Sequence, residues 1–176
     1  MNLPNKLTIL RVILVPAFMT VLLLGWSKYI ALAIFIAASL TDFLDGYLAR
    51  KYKLVTDFGK FMDPLADKLL VTSAMLIFIQ WGQLPSWLVM VVIAREFAVS
   101  GLRMIAASKG TVMAAGISGK LKTGATMICI CILLTPLADK GTGFWNTNNI
   151  CGLIILLTTV YSGVEYFVKN GKVLKN

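Results

Sequence analysis

The sequence predicts an all-α, polytopic membrane protein of six transmembrane helices with cytoplasmic N- and C-termini. Of its 176 residues, 58% are hydrophobic and only 14% are charged, whereas a soluble domain has about 45–50% apolar and about 25% charged residues. The apolar residues also come in long blocks, such as Val12–Trp26 and Leu69–Gln80. At about 20 residues per crossing, this length accommodates six spans with short loops. A single membrane-embedded domain over residues 1–176 is therefore expected.

The six predicted helices cover residues 8–25, 28–49, 62–81, 86–107, 119–137 and 148–168. Turns are expected at 25–28 and 82–86, because Gly and Pro interrupt the apolar blocks there. The stretch 139–149 is rich in Gly and Asn and predicts a polar loop before the last helix. Lys6 and Arg11 precede the first block as in a signal peptide. No small-residue cleavage site follows them, so an uncleaved first helix is expected.

The distribution of positive charge predicts the orientation of the helices. Cytoplasmic loops of membrane proteins carry an excess of Lys and Arg. With both termini on one side, six spans place nearly all of the 17 Lys and Arg residues on that side and only Lys28 and Lys140 on the other. Arg95 falls within the fourth span. An odd number of spans would scatter the same cations over both faces, so the pattern favours six spans and cytoplasmic termini.

The residue types exclude several classes of site. The chain has no histidine, which excludes imidazole bases, His-ligated zinc and Ser-His-Asp catalysis. Its three cysteines lie in apolar segments, at spacings typical of neither a disulfide framework nor a zinc site, and are expected to be packing residues. The net charge of +9 comes from cations that flank apolar blocks. This arrangement favours anionic lipid head groups or an anionic substrate over nucleic acid.

Acidic residues are concentrated in one short region, because five of the eight lie between Asp42 and Asp67. Asp42 and Asp45 are near the end of the second predicted helix, and Asp63 and Asp67 are near the start of the third. Their spacings place each pair on one face of its helix, at the cytoplasmic edge of the membrane. Four ionised carboxylates there repel one another and are costly at the edge of hydrocarbon, so a bound cation is expected.

The expected cation is a hard divalent ion, because carboxylate oxygen is the donor available to it. Mg²⁺, Mn²⁺ or Ca²⁺ fits this donor set better than zinc, and two ions bridged by shared carboxylates suit phosphoryl chemistry. Gly46 and Gly59 lie between the pairs and allow a charged ligand to approach the backbone. The alternative is a solvated network in which the aspartates pair with Arg50, Lys60 and Lys68.

The aspartates belong to a longer motif that resembles the signature of the CDP-alcohol phosphatidyltransferases. The chain contains it as Asp42-x₂-Asp45-Gly46-x₂-Ala49-Arg50-x₈-Gly59-x₃-Asp63-x₃-Asp67, with every fixed position and spacing kept. The resemblance implies two Mg²⁺ or Mn²⁺ ions, a general base at Asp67, and CDP-diacylglycerol as the lipid donor. It implies metal binding by Asp42, Asp45, Asp63 and Asp67. It implies a nucleotide pocket lined by Gly46, Ala49, Arg50 and Gly59.

The N-terminal segment resembles the opening N-P-N-x-L-T-x-x-R of bacterial members of this family. Leu3 interrupts the first pair of that pattern. Asn5, Thr8 and Arg11 recur every three residues, which predicts one polar stripe on a helix at the membrane boundary. The resemblance implies that these three residues also contact the nucleotide-bearing donor. The alternative is a capped helix start with an arginine that only follows the charge rule of cytoplasmic segments.

A second group of polar residues predicts an anion pocket in the fourth and fifth helices. Its members are Arg95, Arg103, Lys120, Lys122 and Thr123. Arg95-Glu96 falls within the fourth span, where an ion pair is a functional-site hypothesis, and Arg103 lies about two turns after Arg95. A cationic pocket favours an acceptor that carries phosphate, whereas choline would favour an aromatic cage. The alternative is that Lys122 and Arg103 snorkel to lipid head groups.

Residues 95–103 and 119–123 further resemble the phosphatidylglycerophosphate synthases of bacteria. This implies transfer of the phosphatidyl group to sn-glycerol 3-phosphate with release of CMP, in the cell membrane, with the active site facing the cytoplasm. Membrane lipids are expected partners, nucleic acid is not, and the family suggests a homodimer. An inositol-phosphate or cardiolipin-forming member shares the aspartate signature and stays open. A small cation transporter is the rival from another class, although the chain shows no related halves.

Overall fold

The computed structural model describes the backbone of residues 3–51, 57–109, 116–138 and 140–171, and their side chains except at 3–6, 42–43, 45–51, 57–61, 63–64 and 144. Within these ranges the chain forms helices and no strand. The six α-helices are α1 Leu3–Leu23, α2 Lys28–Lys51, α3 Asp57–Gln80, α4 Ser86–Ser108, α5 Ile117–Leu133 and α6 Thr147–Asn170. The predicted all-α class with six helices is confirmed for this part of the chain.

Three helix ends differ from the predicted ones by four residues or more. α1 begins at Leu3 rather than residue 8, and α3 begins at Asp57 rather than residue 62. Helical hydrogen bonds are local to the backbone, so a helix can extend beyond its apolar block into a segment of mixed polarity, where hydropathy does not reveal it. α5 ends at Leu133 rather than residue 137. Pro136 lacks an N–H and disfavours the helical conformation at Thr135, which stops the helix.

The predicted connections before α2, α4 and α6 are confirmed. Gly25 and Gly82 follow α1 and α3 with φ of +70°, a left-handed conformation that favours glycine at helix ends. The polar loop before α6 contains a 3₁₀ turn, Gly143–Trp145. Asn146 then caps α6, because its side-chain oxygen accepts a hydrogen bond from the N–H of Asn148 at 3.1 Å.

The chain divides into two compact units, Met1–Gln80 and Trp81–Asn176. In the first unit, α1 packs against α2 and α3, which also contact each other. Phe18 of α1 and Phe35 of α2 form part of its core, with ring centroids 5.9 Å apart. Fully buried alanines on α2 and α3 allow close approach of the helices. The two helices that carry the aspartates are thus held together by α1, and the single-domain prediction for the whole chain stays a prediction.

In the second unit, α6 packs against both α4 and α5. The start of α4 meets α6 at a glycine, since a Cβ atom built on Gly152 would lie 3.4 Å from side-chain atoms of Leu84 and Leu88. Ile130 of α5 and Ile155 of α6 are fully buried in the core. α6 is therefore the helix through which the charged segments of α4 and α5 are positioned.

Large apolar side chains cover much of the exposed helix surface. Phe97 and Met104 of α4 and Val168 of α6 are examples, and such surfaces indicate a lipid or protein partner. Among the described residues, α6 is the one helix that is both long and apolar enough to cross a membrane, and the shorter apolar helical stretches are Leu7–Leu23 and Lys28–Thr41. The other five predicted spans and the orientation of the termini stay predictions.

Contact between two cysteines predicts a specific cross-link between α5 and α6. Cys129 of α5 and Cys151 of α6 are both buried, and their side chains are close enough to interact. Side chains this close need little adjustment to reach disulfide geometry. A membrane-permeant thiol oxidant such as diamide is expected to join them, with loss of two hydrogen atoms. Peptide mass spectrometry should identify the linked pair and find Cys131 still open to alkylation. Preferential linkage through Cys131 would contradict this packing.

Candidate active site

Two contacting helices of the first unit carry the four aspartates. Asp42 and Asp45 belong to α2, and Asp63 and Asp67 belong to α3. The side chain of Asp67 is half-buried and adjacent to the fully buried Ala66. The side chains of Asp42, Asp45 and Asp63 lie outside the described residues, so the predicted convergence of the four carboxylates stays a prediction.

The donor chemistry of these residues fits a hard divalent cation. Carboxylate oxygens are the ligands that Mg²⁺ and Mn²⁺ prefer in proteins. Among the side chains that the structure describes, no group of three or more His, Cys, Asp or Glu comes together, and Asp67 is the only predicted ligand in that set. A half-buried carboxylate on α3 at this position is compatible with a bound cation.

Two of the residues predicted to contact the nucleotide have described side chains. Thr8 is 1% exposed and Arg11 is 0% exposed, both on α1, which packs against α2 and α3. An arginine that served only to orient the helix would keep its guanidinium in water or among head groups. Full burial therefore favours a site role for Arg11. The other predicted positions lie outside the described side chains: Asn5, Gly46, Ala49, Arg50 and Gly59.

Arg95, Glu96 and Lys122 form an ion-pair cluster that joins α4 to α5 in the second unit. Glu96 Oε1 accepts a hydrogen bond from Lys122 Nζ at 2.6 Å and one from Arg95 Nη1 at 3.2 Å. Lys122 is only 3% exposed, which contradicts the snorkelling alternative for this residue. Two cations share one carboxylate, so the cluster carries net positive charge. Its two cations can donate charge-assisted hydrogen bonds to a second anion such as a phosphate group.

Two glycines shape the place that Arg95 occupies. A Cβ atom built on Gly163 of α6 would lie 3.3 Å from Arg95 Cγ, and one built on Gly119 of α5 would lie 3.8 Å from Arg95 Nη2. The aliphatic part of Arg95 therefore packs on bare backbone of α6, while its guanidinium passes α5. A bulky side chain at position 163 would displace Arg95 from this position.

The other residues of the predicted anion pocket are arranged differently. Arg103 is exposed, and its Nε donates a hydrogen bond of 2.9 Å to the phenol oxygen of Tyr166 on α6. Lys120 and Thr123 are exposed on α5. The hydroxyl of Thr123 donates to the backbone oxygen of Gly119 at 3.1 Å, one turn earlier in the same helix. The structure does not bring Lys120 or Thr123 into the ion-pair cluster.

The ion pair of Arg95 with Glu96, predicted from the sequence, is confirmed at 3.2 Å. Glu96 has a sequence signal, because it stands beside Arg95 within an apolar block. Sequence reasoning assigns no site role to Gly163 or Tyr166. Gly163 and Tyr166 belong to the apolar α6, and Tyr166 is 63 positions from Arg103 along the chain. No local pattern connects residues so far apart, so the contacts of α6 emerge only from helix packing.

A model of the CDP-alcohol phosphatidyltransferase family matches residues 1–162. The chain belongs to this family. The match contains the whole aspartate motif of this phosphatidyltransferase, its N-terminal polar stripe and its ion-pair cluster. The resemblance inferred from the motif is thus confirmed, and the family is associated with membranes.

This phosphatidyltransferase has curated relatives that are similar over most of their length. The CDP-diacylglycerol–glycerol-3-phosphate 3-phosphatidyltransferase of Bacillus subtilis is 45% identical, over 99% of this chain and 97% of the relative. The protein of the same name from Rickettsia typhi is 39% identical, over 94% and 95%. A probable phosphatidylglycerophosphate synthase of Mycobacterium tuberculosis is 36% identical, over 96% of this chain and 81% of the relative.

Proposed function

We propose that this phosphatidyltransferase transfers the phosphatidyl group of CDP-diacylglycerol to sn-glycerol 3-phosphate and releases CMP. Membership of the family and 45% identity to a relative named for this reaction support the proposal. The structural observation that carries the choice of acceptor is the ion-pair cluster, where two cations share one carboxylate. A dianionic phosphate complements this net positive charge, whereas a neutral or cationic alcohol does not.

The proposed reaction exchanges one phosphorus–oxygen bond for another. A hydroxyl oxygen of the acceptor attacks the phosphorus that carries diacylglycerol, and the bond from this phosphorus to CMP breaks. The hydroxyl proton passes to the carboxylate of Asp67. A carboxylate in water is a weak base toward an alcohol, and partial removal from water makes it a better one. The half-buried side chain of Asp67 supports this assignment.

Donor binding is assigned to the residues of the first unit. Two Mg²⁺ or Mn²⁺ ions, held by Asp42, Asp45, Asp63 and Asp67, would neutralise charge on the pyrophosphate of the donor. The protein adds a positive charge of its own through Arg11, which is buried in the same unit. Thr8, three residues before Arg11 on the same helix, adds a buried hydroxyl group. The nucleotide contacts are assigned to these two residues together with Asn5, Gly46, Ala49, Arg50 and Gly59.

Acceptor binding is assigned to the second unit. Arg95 and Lys122 hold the phosphate of glycerol 3-phosphate at the ion-pair cluster, and Arg103 contributes a further guanidinium. Lys120 and Thr123 are assigned to the outer part of this pocket, in agreement with their exposure.

We further propose that all six helices cross the cell membrane, with both termini and the active site on the cytoplasmic side. The helices contain between 17 and 24 residues, which at about 1.5 Å per residue is close to the thickness of the hydrocarbon core. The apolar side chains on their exposed surfaces and the distribution of Lys and Arg support this arrangement. Truncations fused to reporters that act on only one side of the membrane would test it.

The function is tested with the purified protein in detergent, CDP-diacylglycerol, Mg²⁺ and a set of acceptors. CMP release is measured and the lipid product is identified by mass. We expect the enzyme to accept glycerol 3-phosphate and not to accept inositol 1-phosphate, phosphatidylglycerol or serine. Preference for inositol 1-phosphate or phosphatidylglycerol would replace the acceptor while keeping the family. Metal-dependent ion flux in liposomes without CMP release would favour a transporter instead.

Replacement of Lys122 by methionine tests the assignment of the acceptor phosphate. The variant keeps the length of the side chain and removes its charge. Loss of one charge-assisted hydrogen bond to phosphate is expected to raise the KM for glycerol 3-phosphate about 30- to 100-fold. The KM for CDP-diacylglycerol should change little. Steady-state kinetics with each substrate varied in turn measures both constants.

The matched control for Lys122→Met is Lys169→Met. Like Lys122, Lys169 pairs with a glutamate. Its partner is Glu165 on the same helix, α6, but the side chain of Lys169 is 68% exposed. Its replacement removes an equal charge outside the proposed pocket and should leave the KM for glycerol 3-phosphate unchanged. Equal effects of the two substitutions would indicate a general charge effect rather than a binding site.

A further inference from the structure

Tyr166 of α6 makes two separate contacts with the guanidinium group of Arg103. Its phenol oxygen accepts the hydrogen bond from Arg103 Nε at 2.9 Å. The Cζ atom of Arg103 also lies 5.4 Å from the centroid of the tyrosine ring, within the range of a cation–π interaction. The guanidinium is therefore held both by its inner nitrogen and by the face of an aromatic ring.

The tyrosine ring is itself fixed in place. Tyr166 is 6% exposed and packs in one buried cluster with Val99 and Leu102 of α4. These two residues lie four and one positions before Arg103 in the same helix, so the ring is locked against the segment that carries the arginine. A side chain enclosed in this way has few alternative rotamers, and it can act as a rigid support.

The geometry of the hydrogen bond determines which part of Arg103 faces a ligand. With Nε bonded to tyrosine, the outer edge with the two terminal nitrogens is the part of the guanidinium presented to other acceptors. Among the described residues, neither terminal nitrogen takes part in a hydrogen bond or ion pair. Two parallel N–H donors in this edge match two oxygens of a phosphate group.

Positioning matters at this residue because Arg103 is exposed. An exposed arginine samples many rotamers, and a ligand that binds it must select one of them. The contacts with Tyr166 make this selection before the ligand arrives. This preorganisation strengthens binding of the ligand that Arg103 contacts, and it does not change binding of the lipid donor.

We propose that Tyr166 is a positioning residue that orients Arg103 toward the phosphate of the acceptor, which makes α6 a determinant of acceptor affinity. This inference rests on the proposed function. It assigns to α6 a role in substrate recognition that the motifs of α2 to α5 do not contain. Tyr166 acts through Arg103 and does not itself contact the reacting atoms.

The test is Tyr166→Phe, which keeps the ring and its packing and removes the hydrogen-bond acceptor. The KM for glycerol 3-phosphate is expected to rise about 3- to 10-fold, the effect of one hydrogen bond. The kcat and the KM for CDP-diacylglycerol should stay within about twofold of the wild-type values. Tyr161→Phe is the matched control, because this tyrosine lies on the same helix and is 62% exposed. It should leave all three constants unchanged.

A second comparison separates positioning from a purely structural role. In an Arg103→Met background the guanidinium is absent, so Tyr166→Phe should have less than about a twofold further effect on this KM. Additive effects in the double variant would overturn the inference, as would a fall in melting temperature with no change in KM. If the wild-type enzyme uses glycerol 3-phosphate and Tyr166→Phe has the same KM for it, this inference alone is overturned. A wild-type enzyme that releases no CMP with this acceptor overturns the proposed function as well.

Discussion

Asp67→Asn is expected to lower kcat for CMP release by at least about 10³-fold, within the range that a general base contributes. Asparagine keeps the shape of the side chain but cannot take up a proton, and it is a weaker ligand for a divalent cation. Asp67 is half-buried on α3, at the edge of the packed core of the first unit. The loss should therefore appear in catalysis rather than in folding. Single-turnover release of CMP measures it directly.

The control for this substitution is Glu165→Gln, which also converts a carboxylate to an amide. Glu165 pairs with Lys169 on α6 and has no assigned role in the reaction. Both variants should elute from a size-exclusion column in detergent like the wild-type protein. Turnover of Asp67→Asn at the wild-type rate would remove Asp67 from the role of base.

Removal of divalent cations is expected to abolish the reaction, with a loss of at least about 10³-fold, because the charge on the donor's pyrophosphate is then uncompensated. Addition of Mg²⁺ or Mn²⁺ after chelation should restore activity. The prediction rests on the chemistry of the metal ligands, since the motif contains carboxylates and the chain has no histidine. CMP release before and after dialysis against excess chelator measures the effect.

Binding of Mn²⁺ provides a readout that does not depend on turnover. Electron paramagnetic resonance of the purified protein should detect bound Mn²⁺, and an Asp42→Asn/Asp63→Asn double variant should bind much less of it. Glu165→Gln again serves as the control and should bind as the wild-type protein does. Full activity in excess chelator would contradict the assignment of the four aspartates to metal binding.

The helices and the aspartate motif could be predicted from local features of the sequence. Apolar blocks about 20 residues long indicate helices, and the turns contain the glycines that adopt positive φ, Gly25 and Gly82. The ends were harder to predict, because Asp57–Phe61 is helical although it mixes charged residues and a glycine with its apolar ones. Hydropathy reports burial in lipid, whereas a helix is defined by backbone hydrogen bonds, and the two need not end together.

Part of the candidate site could likewise be predicted from local features of the sequence, and part could not. The spacing of the acidic residues within Asp42–Asp67 identified the family, which is confirmed, and the roles of these residues stay predictions. The environment of the cations could not be predicted in the same way. Lys122 could as well have snorkelled to a head group as paired with Glu96, because both outcomes agree with its position near a helix start.

The sequence by itself determined that this is a helical member of the CDP-alcohol phosphatidyltransferases, because helix periodicity, charge spacing and motif are properties of neighbouring residues. Only the tertiary structure decided which cations are buried, which carboxylate joins them, and that Tyr166 holds Arg103. These contacts link residues 26 and 63 positions apart. They depend on how α4, α5 and α6 pack, and packing is set by the whole surface of each helix rather than by any short pattern in it.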